Sequence, residues 1–218
     1  MGKDWLMETP LAIDTDAIIW SAPERERADR PLLVLLHGYG SHEGDLFAMS
    51  PGLPLEPVIA SLRAPVNESG GWAWWSRGAG SPAGAPDPGG VDAAAAAVIA
   101  WLDTLNYSSV SLLGFSQGAA LSLQLNRHAP GRFAATVALS GFVAPGGHPG
   151  DAELERLRPP VFWGRGTDDA MIPALAVERT TDWLPSHSTA SIRIYEDLGH
   201  SISSRELGDL VHFLREHA

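Results

Sequence analysis

Runs such as "PLLVLL" (Pro31 to Leu36) and "VSLLGF" (Val110 to Phe115) are apolar at nearly every position, with no alternation. A strand with one solvated face alternates apolar and polar side chains. A strand covered on both faces does not, and double coverage is the mark of a mostly parallel sheet between helical layers. Further strand candidates are "AIIW" (Ala17 to Trp20), "VIASLRAP" (Val58 to Pro65), "FAATVALSG" (Phe133 to Gly141), "PPVFWG" (Pro159 to Gly164) and "SIRIYE" (Ser191 to Glu196). Helical patterns fall between them at roughly 92–104, 118–128, 175–184 and 203–217. Strand, helix, strand repetition predicts an α/β architecture of about seven strands with helices on both faces. Chemistry in such sheets gathers at the carboxyl ends of the strands.

At 218 residues the chain is long enough for one sizeable core, and residues 1–218 are expected to form a single domain. Hydrophobic residues make up 44% and charged residues 19%, the balance of a folded protein rather than a disordered one. A net charge of −11, with only 15 Lys and Arg, argues against nucleic acid and against an anionic membrane surface as partners. The absence of cysteine excludes disulfides, thiolate metal ligation and a thiol nucleophile. The longest apolar stretch, "VDAAAAAVIAWL" (Val91 to Leu102), falls short of a membrane span, so no stable membrane insertion is expected. No signal-peptide pattern is visible at the start, and a cytoplasmic location is the expectation.

The segment "LLGFSQGAA" (Leu112 to Ala120) places Ser116 between two glycines, directly after a strand pattern and before good helix formers. A G-x-S-x-G stretch acquires meaning in that context: the chain turns sharply from strand to helix and thrusts the serine hydroxyl outward. Glycine is needed at 114 and 118 because side chains there would strike neighbouring backbone. The helix N-terminus beside Ser116 offers N–H donors and the positive end of a dipole to developing negative charge. A plain serine N-cap in a glycine-rich turn is the alternative reading of these five residues alone.

A serine nucleophile needs a base, itself oriented by a carboxylate, in the chain order Ser, Asp or Glu, His. Of the histidines after "PPVFWG", His200 in "EDLGHSIS" lies just past a strand's carboxyl end and just before the last helix. His187 falls at the wrong end of that strand, and His212 and His217 fall inside the final helical pattern. For the carboxylate, "GRGTDDAMIP" offers both Asp168 and Asp169 on spacing alone. An oxyanion needs two N–H donors: Gln117, following the nucleophile, supplies one, and Tyr39 in "LLHGYG" the other. His37 reads as a supporting loop histidine bonded to backbone. His37, His42, Glu43 and Asp45 lack zinc spacing, and a serine site needs no ion, so neither metal nor cofactor is expected. The irregular segment Asn67 to Gly90 carries Trp72, Trp74 and Trp75, three tryptophans in four residues. Loops that long are often functional, and these indoles either wall an acyl or aryl pocket or serve as the ordinary packing of a long loop, since aromatics dominate cores and sites alike.

Taken together, "LLHGYGSHEGDL", "SLRAPVNESGGWAWWS", "LLGFSQGAALSL", "GTDDAMIP" and "LGHSIS" resemble the phospholipase/carboxylesterase family of α/β-hydrolases, in family order from about Leu35 to Ser203. The resemblance implies the α/β-hydrolase fold and carries Ser116, Asp169 and His200 as a triad. It selects Asp169 over Asp168, because the family's aspartate stands four residues before the proline that is here Pro173. Tyr39 and Gln117 fall at the family's oxyanion positions. Arg165-Gly166 replaces the family's common His-Gly, and Trp74-Trp75 replaces Trp-Phe or Trp-Tyr. "FVAPGGHPGDAELERLR" is too short for the helical cap of larger hydrolases. The implied activity is carboxylesterase action on short- to medium-chain acyl esters, with no cofactor. Acyl-protein thioesterase or lysophospholipase-type hydrolysis, or perhydrolysis, would use the same residues. A non-catalytic binding module on the same scaffold is the alternative from another class. The partner is thus a small acyl ester or thioester, and a homodimer is compatible with the sequence.

Overall fold

The computed structural model describes residues 10–77, 84 and 86–218, and in it the doubly buried runs become the centre of a seven-stranded sheet. In chain order the elements are β1 (Ile19–Trp20), β2 (Leu32–Leu36), α1 (Glu43–Phe47), β3 (Val58–Leu62), β4 (Val66–Glu68) and β5 (Gly71–Ala73). There follow α2 (Pro88–Leu102), β6 (Val110–Phe115), α3 (Gln117–His128), β7 (Thr136–Leu139) and α4 (Asp151–Leu157). The chain closes with β8 (Pro160–Gly166), α5 (Ala174–His187), β9 (Thr189–Tyr195) and α6 (Ser204–His217). The strand order is β1-β3-β2-β6-β7-β8-β9. Every neighbouring pair is parallel except β1 with β3 at one edge. The fold is the α/β-hydrolase architecture that the sequence implies.

Alternate side chains of one strand enter different cores. Leu32, Val34 and Leu36 of β2 pack with Val98 of α2 and Leu121 of α3 on one face. Leu33 and Leu35 pack with Leu46 of α1 and Leu210 and Phe213 of α6 on the other. All five β2 side chains are buried, and each buried Leu or Val stabilises the fold by about 1.5–3 kcal/mol relative to exposure. A third cluster joins Val161 and Trp163 of β8 to Leu123 of α3 and Leu184 of α5. Helices therefore cover both sheet faces, which is why these strands carry no polar alternation.

Several elements are absent from the periodicity reading. Helices α1 and α4 hold five and seven residues, too few turns to display a helical period. Helix α2 begins earlier than its apolar run because Asp87 caps it, its carboxylate accepting the Gly90 N–H at 3.1 Å, and Pro88 occupies the first helical position. The segment read as one irregular loop from Asn67 to Gly90 in fact holds most of the antiparallel hairpin β4–β5. The rest of that segment lies in part outside the described residues.

One buried group carries a fold-level cost. Glu206, in the first turn of α6, is fully buried, and neither carboxyl oxygen meets a partner among the described residues. A Cβ at residue 164 would lie 2.2 Å from Glu206 Oε1, so glycine in β8 makes the room for this side chain. Burial raises the Glu206 pKa from 4.5 to about 7, with Asp209 adding repulsion. The folded pKa lies above the unfolded one, so this contribution is fully present below about pH 4.5 and is lost as pH rises through about 7. We expect the Glu206→Gln variant to lack that loss: urea unfolding should show wild type falling up to about 3 kcal/mol further than the variant between pH 5 and pH 9. Equal pH slopes would contradict the assignment.

Candidate active site

Strand β6 ends at Phe115 and α3 begins at Gln117, leaving a single residue to turn the chain. That residue, Ser116, has φ 55° and ψ −113°, a conformation L side chains rarely adopt. Its N–H donates to Leu139 O at 2.8 Å and its carbonyl accepts the Ala120 N–H at 3.0 Å, so the strain is fixed from both sides. The glycines explain how the bend fits. A Cβ at 118 would lie 1.9 Å from the carbonyl oxygen of Leu36, and one at 114 would lie 2.2 Å from that of Gly118. Helix α3 packs so closely on β2 and β6 that only hydrogen fits at either place.

The bend presents Ser116 Oγ to His200 Nε2 at 2.9 Å. On the far side of the ring, His200 Nδ1 lies 2.8 Å from Asp169 Oδ2. A carboxylate only accepts, so Nδ1 carries the ring proton and Nε2 is left to accept from the serine hydroxyl. The other carboxylate oxygen accepts the N–H groups of Met171 (3.0 Å) and Ile172 (3.3 Å), which fixes Asp169 with a side chain only 2% exposed. Asp168 points elsewhere: it is exposed and accepts the Thr167 hydroxyl at 2.9 Å. The two aspartates that spacing left equivalent thus occupy different surroundings. Phe115 packs its ring 4.9 Å from that of His200, a contact the sequence reading did not anticipate.

A cavity of about 220 Å³ opens beside Ser116 and His200, lined among others by Gly38, Tyr39, Phe115, Arg77, Met171 and Ile172. Tyr39 is among its lining residues and Gln117 directly follows Ser116 in the chain, and neither backbone N–H donates a hydrogen bond among the described residues. The loop bearing Tyr39 is built on His37. This ring is 1% exposed; its Nε2 accepts the Ala64 N–H at 3.2 Å, so Nδ1 donates to Gly38 O at 2.7 Å. Burial lowers the His37 pKa, which keeps the ring neutral for these two bonds.

The tryptophans stand apart from the expected pocket wall. Trp74 is fully buried and Trp75 is 5% exposed, both packed in the core beside α2. Trp72 lies under the Arg63 guanidinium, 4.9 Å from its ring centroid. Among the described residues none of the three lines the cavity at Ser116. Their indoles turn inward because the hairpin lies flat on the Tyr39 loop: Gly40 N–H donates to Trp72 O at 2.9 Å and Trp72 N–H to Ser41 O at 2.8 Å. The Trp74 indole N–H donates to His37 O at 2.9 Å. The Gln117 amide completes the clamp, accepting the Trp74 N–H and donating to Trp75 O, both at 2.8 Å. This side-chain duty of Gln117 was hidden in the sequence, since its partners lie 42 and 43 residues away. The residues once grouped as a metal alternative serve separate ends: Glu43 pairs with Arg63, and Asp45 accepts the Ser41 hydroxyl at 2.6 Å.

An α/β-hydrolase fold with a Ser–His–Asp hydrogen-bonded chain at the carboxyl ends of β6, β8 and β9 defines the class. The Phospholipase/Carboxylesterase family model matches residues 19–218, and the chain belongs to that family. It is 33% identical over 117 residues to acyl-protein thioesterase 1 of Kluyveromyces lactis, covering 51% of each chain. It is also 33% identical over 109 residues to carboxylesterase SOBER1 of Arabidopsis thaliana, covering 47% of this chain and 46% of that one. The chain thus spans about half the length of the curated relatives it matches. The solved structure of a carboxylesterase from Mesorhizobium loti shares the fold, with a TM-score of 0.77 at 21% identity over 95% of this chain and 99% of that one.

The close approach at residue 118 yields a stability prediction. A Gly118→Ala variant must separate α3 from the Leu36 carbonyl, and we expect it to lose about 3 kcal/mol or more, read as a lower denaturation midpoint. Wild-type stability in that variant would contradict the packing described.

Proposed function

We propose that the chain is a serine carboxylesterase that hydrolyses short- to medium-chain acyl esters through an acyl-enzyme. The observation that carries this reading is the unbroken hydrogen-bond chain from Ser116 Oγ through His200 to Asp169, at 2.9 and 2.8 Å. His200 Nε2 takes the hydroxyl proton as Ser116 Oγ attacks the ester carbonyl carbon. Asp169 holds the ring in the tautomer that leaves Nε2 able to accept, and stabilises the imidazolium that forms. The N–H groups of Tyr39 and Gln117 receive the oxyanion; removing one such donor typically raises a barrier by about 3 kcal/mol. His200 then returns its proton to the leaving alcohol as the C–O bond breaks. Water, deprotonated by the same ring, releases the acid and restores Ser116.

The cavity favours small acyl groups. At about 220 Å³ it lies below the roughly 300–1,000 Å³ typical of sites for drug-sized ligands. Relatives bear the names acyl-protein thioesterase and carboxylesterase, and a thioester would be cleaved by the same three side chains. Cavity size argues for the ester of a short acid over the thioester of a fatty one. A cysteine-free chain is compatible with the reducing cytoplasm, where we place its action. Among the described residues no helix is long and apolar enough to cross a membrane.

The test is a series of p-nitrophenyl esters from acetate to palmitate, assayed with wild type and Ser116→Ala. We expect kcat/KM for butyrate to exceed that for palmitate by more than about 10-fold, and the alanine variant to lose at least about 10³-fold in kcat. A folded Ser116→Ala enzyme with wild-type turnover would contradict the mechanism. A palmitate optimum would contradict the substrate class alone.

A further inference from the structure

Away from Ser116, three metal-ligating side chains converge on the helical layer that carries α2 and α3. Asp92 stands in α2, His128 is the last residue of α3, and His148 lies in the turn before α4. One ligating atom of each lies within 4.8 Å of the other two. His128 Nε2 is 2.8 Å from Asp92 Oδ1, and the two imidazole rings lie 4.6 Å apart with their planes tilted by 42°. None of the three lines the cavity at Ser116, and the proposed hydrolysis makes no use of them.

We propose that Asp92, His128 and His148 form a binding site for a divalent transition-metal ion, with Zn²⁺ the fitting cation. Two imidazoles and one carboxylate are a donor set that zinc accepts, with a fourth position left for water. The three ligands come from two helices and a loop, so an ion would fasten those segments to one another. Without an ion the cluster holds two imidazoles beside a single carboxylate. One divalent cation is attracted by all three groups at once. Asp92 is further oriented by the Gln124 amide, which donates to its Oδ1 at 2.6 Å, in the way carboxylate ligands are commonly held by outer partners.

Binding requires the side chains to adjust. Tetrahedral Zn²⁺ with bonds of about 2.0–2.1 Å needs ligand atoms about 3.4 Å apart, so His128 Nε2 and Asp92 Oδ1, now 2.8 Å apart, must draw apart, and the Nε2 proton that His128 donates to the carboxylate must shift to Nδ1. All three are only partly buried, and the His128 and Asp92 side chains are 21% and 45% exposed, which leaves room to rotate. His148 Nδ1 also accepts the Gly150 N–H at 3.1 Å. Ligation through Nε2 would move the ring proton to Nδ1 and give up that bond. One neutral hydrogen bond is small beside the free energy of a three-ligand zinc site.

The experiment is calorimetric titration of the chelator-treated full chain with ZnCl₂, alongside thermal unfolding with and without the ion. Wild type should bind about one equivalent, and its Tm should rise by roughly 5–10 °C at a hundredfold excess over Kd. His148→Ala and His128→Asn should each weaken binding at least about 10-fold, whereas His212→Ala, at an exposed position on α6, should not. Two variants guard against one failing to fold. No heat of binding at millimolar Zn²⁺, or binding retained in both the 128 and 148 variants, would overturn the proposal. Loss of binding in the 212 variant would equally overturn it by assigning the ion to surface histidines.

Discussion

The contact between the α-carbon of Gly118 and the carbonyl of Leu36 governs the geometry of the whole site. It lets α3 start one residue after β6 stops, and nothing larger than hydrogen fits at that point. Because helix and strand meet so abruptly, Ser116 takes a positive φ and its hydroxyl stands clear of both. The two cores flanking the sheet supply the energy that holds this strained turn, since β2 and β6 are buried on both faces. The strain is local and its support is global.

From that fixed point the other groups are placed by strand ends. β8 delivers Asp169 and β9 leads into His200, and the parallel sheet aligns both ends with the end of β6. Each member is tied down behind the face it presents. Two backbone N–H groups hold the Asp169 carboxylate, and Phe115 backs the His200 ring. The Tyr39 loop is held by buried, neutral His37 below and by the β4–β5 hairpin alongside. Such preorganisation matters because donors that need not reorient when charge develops lower a barrier most.

Legibility in the sequence followed burial and distance. Doubly buried strands announced themselves by missing alternation, and Gly114 and Gly118 around Ser116 announced the bend, because both are local in the chain. His200 was legible from its place between a strand and the last helix. Asp169 was not separable from Asp168 by spacing alone and was selected only through the family resemblance; its distinguishing feature in the structure is a turn closed by Met171 and Ile172 N–H groups. The tryptophan segment was ambiguous for a related reason. Aromatic residues dominate cores and binding sites alike, and only the hairpin pairing that turns these indoles inward separates the two. Clusters assembled from distant positions, such as the Gln117 clamp on Trp74 and Trp75 or the grouping of Asp92, His128 and His148, leave no local trace.

The central claim is that Ser116 is made nucleophilic by His200, and covalent trapping reads it most directly. A small fluorophosphonate, which reacts with activated serine hydroxyls, is incubated with the protein, and the modified peptide is identified by mass spectrometry. The account predicts one adduct, on Ser116, with labelling slowed severely when His200 is replaced by alanine. An adduct on another serine, or labelling of Ser116 at an unchanged rate without His200, would contradict it.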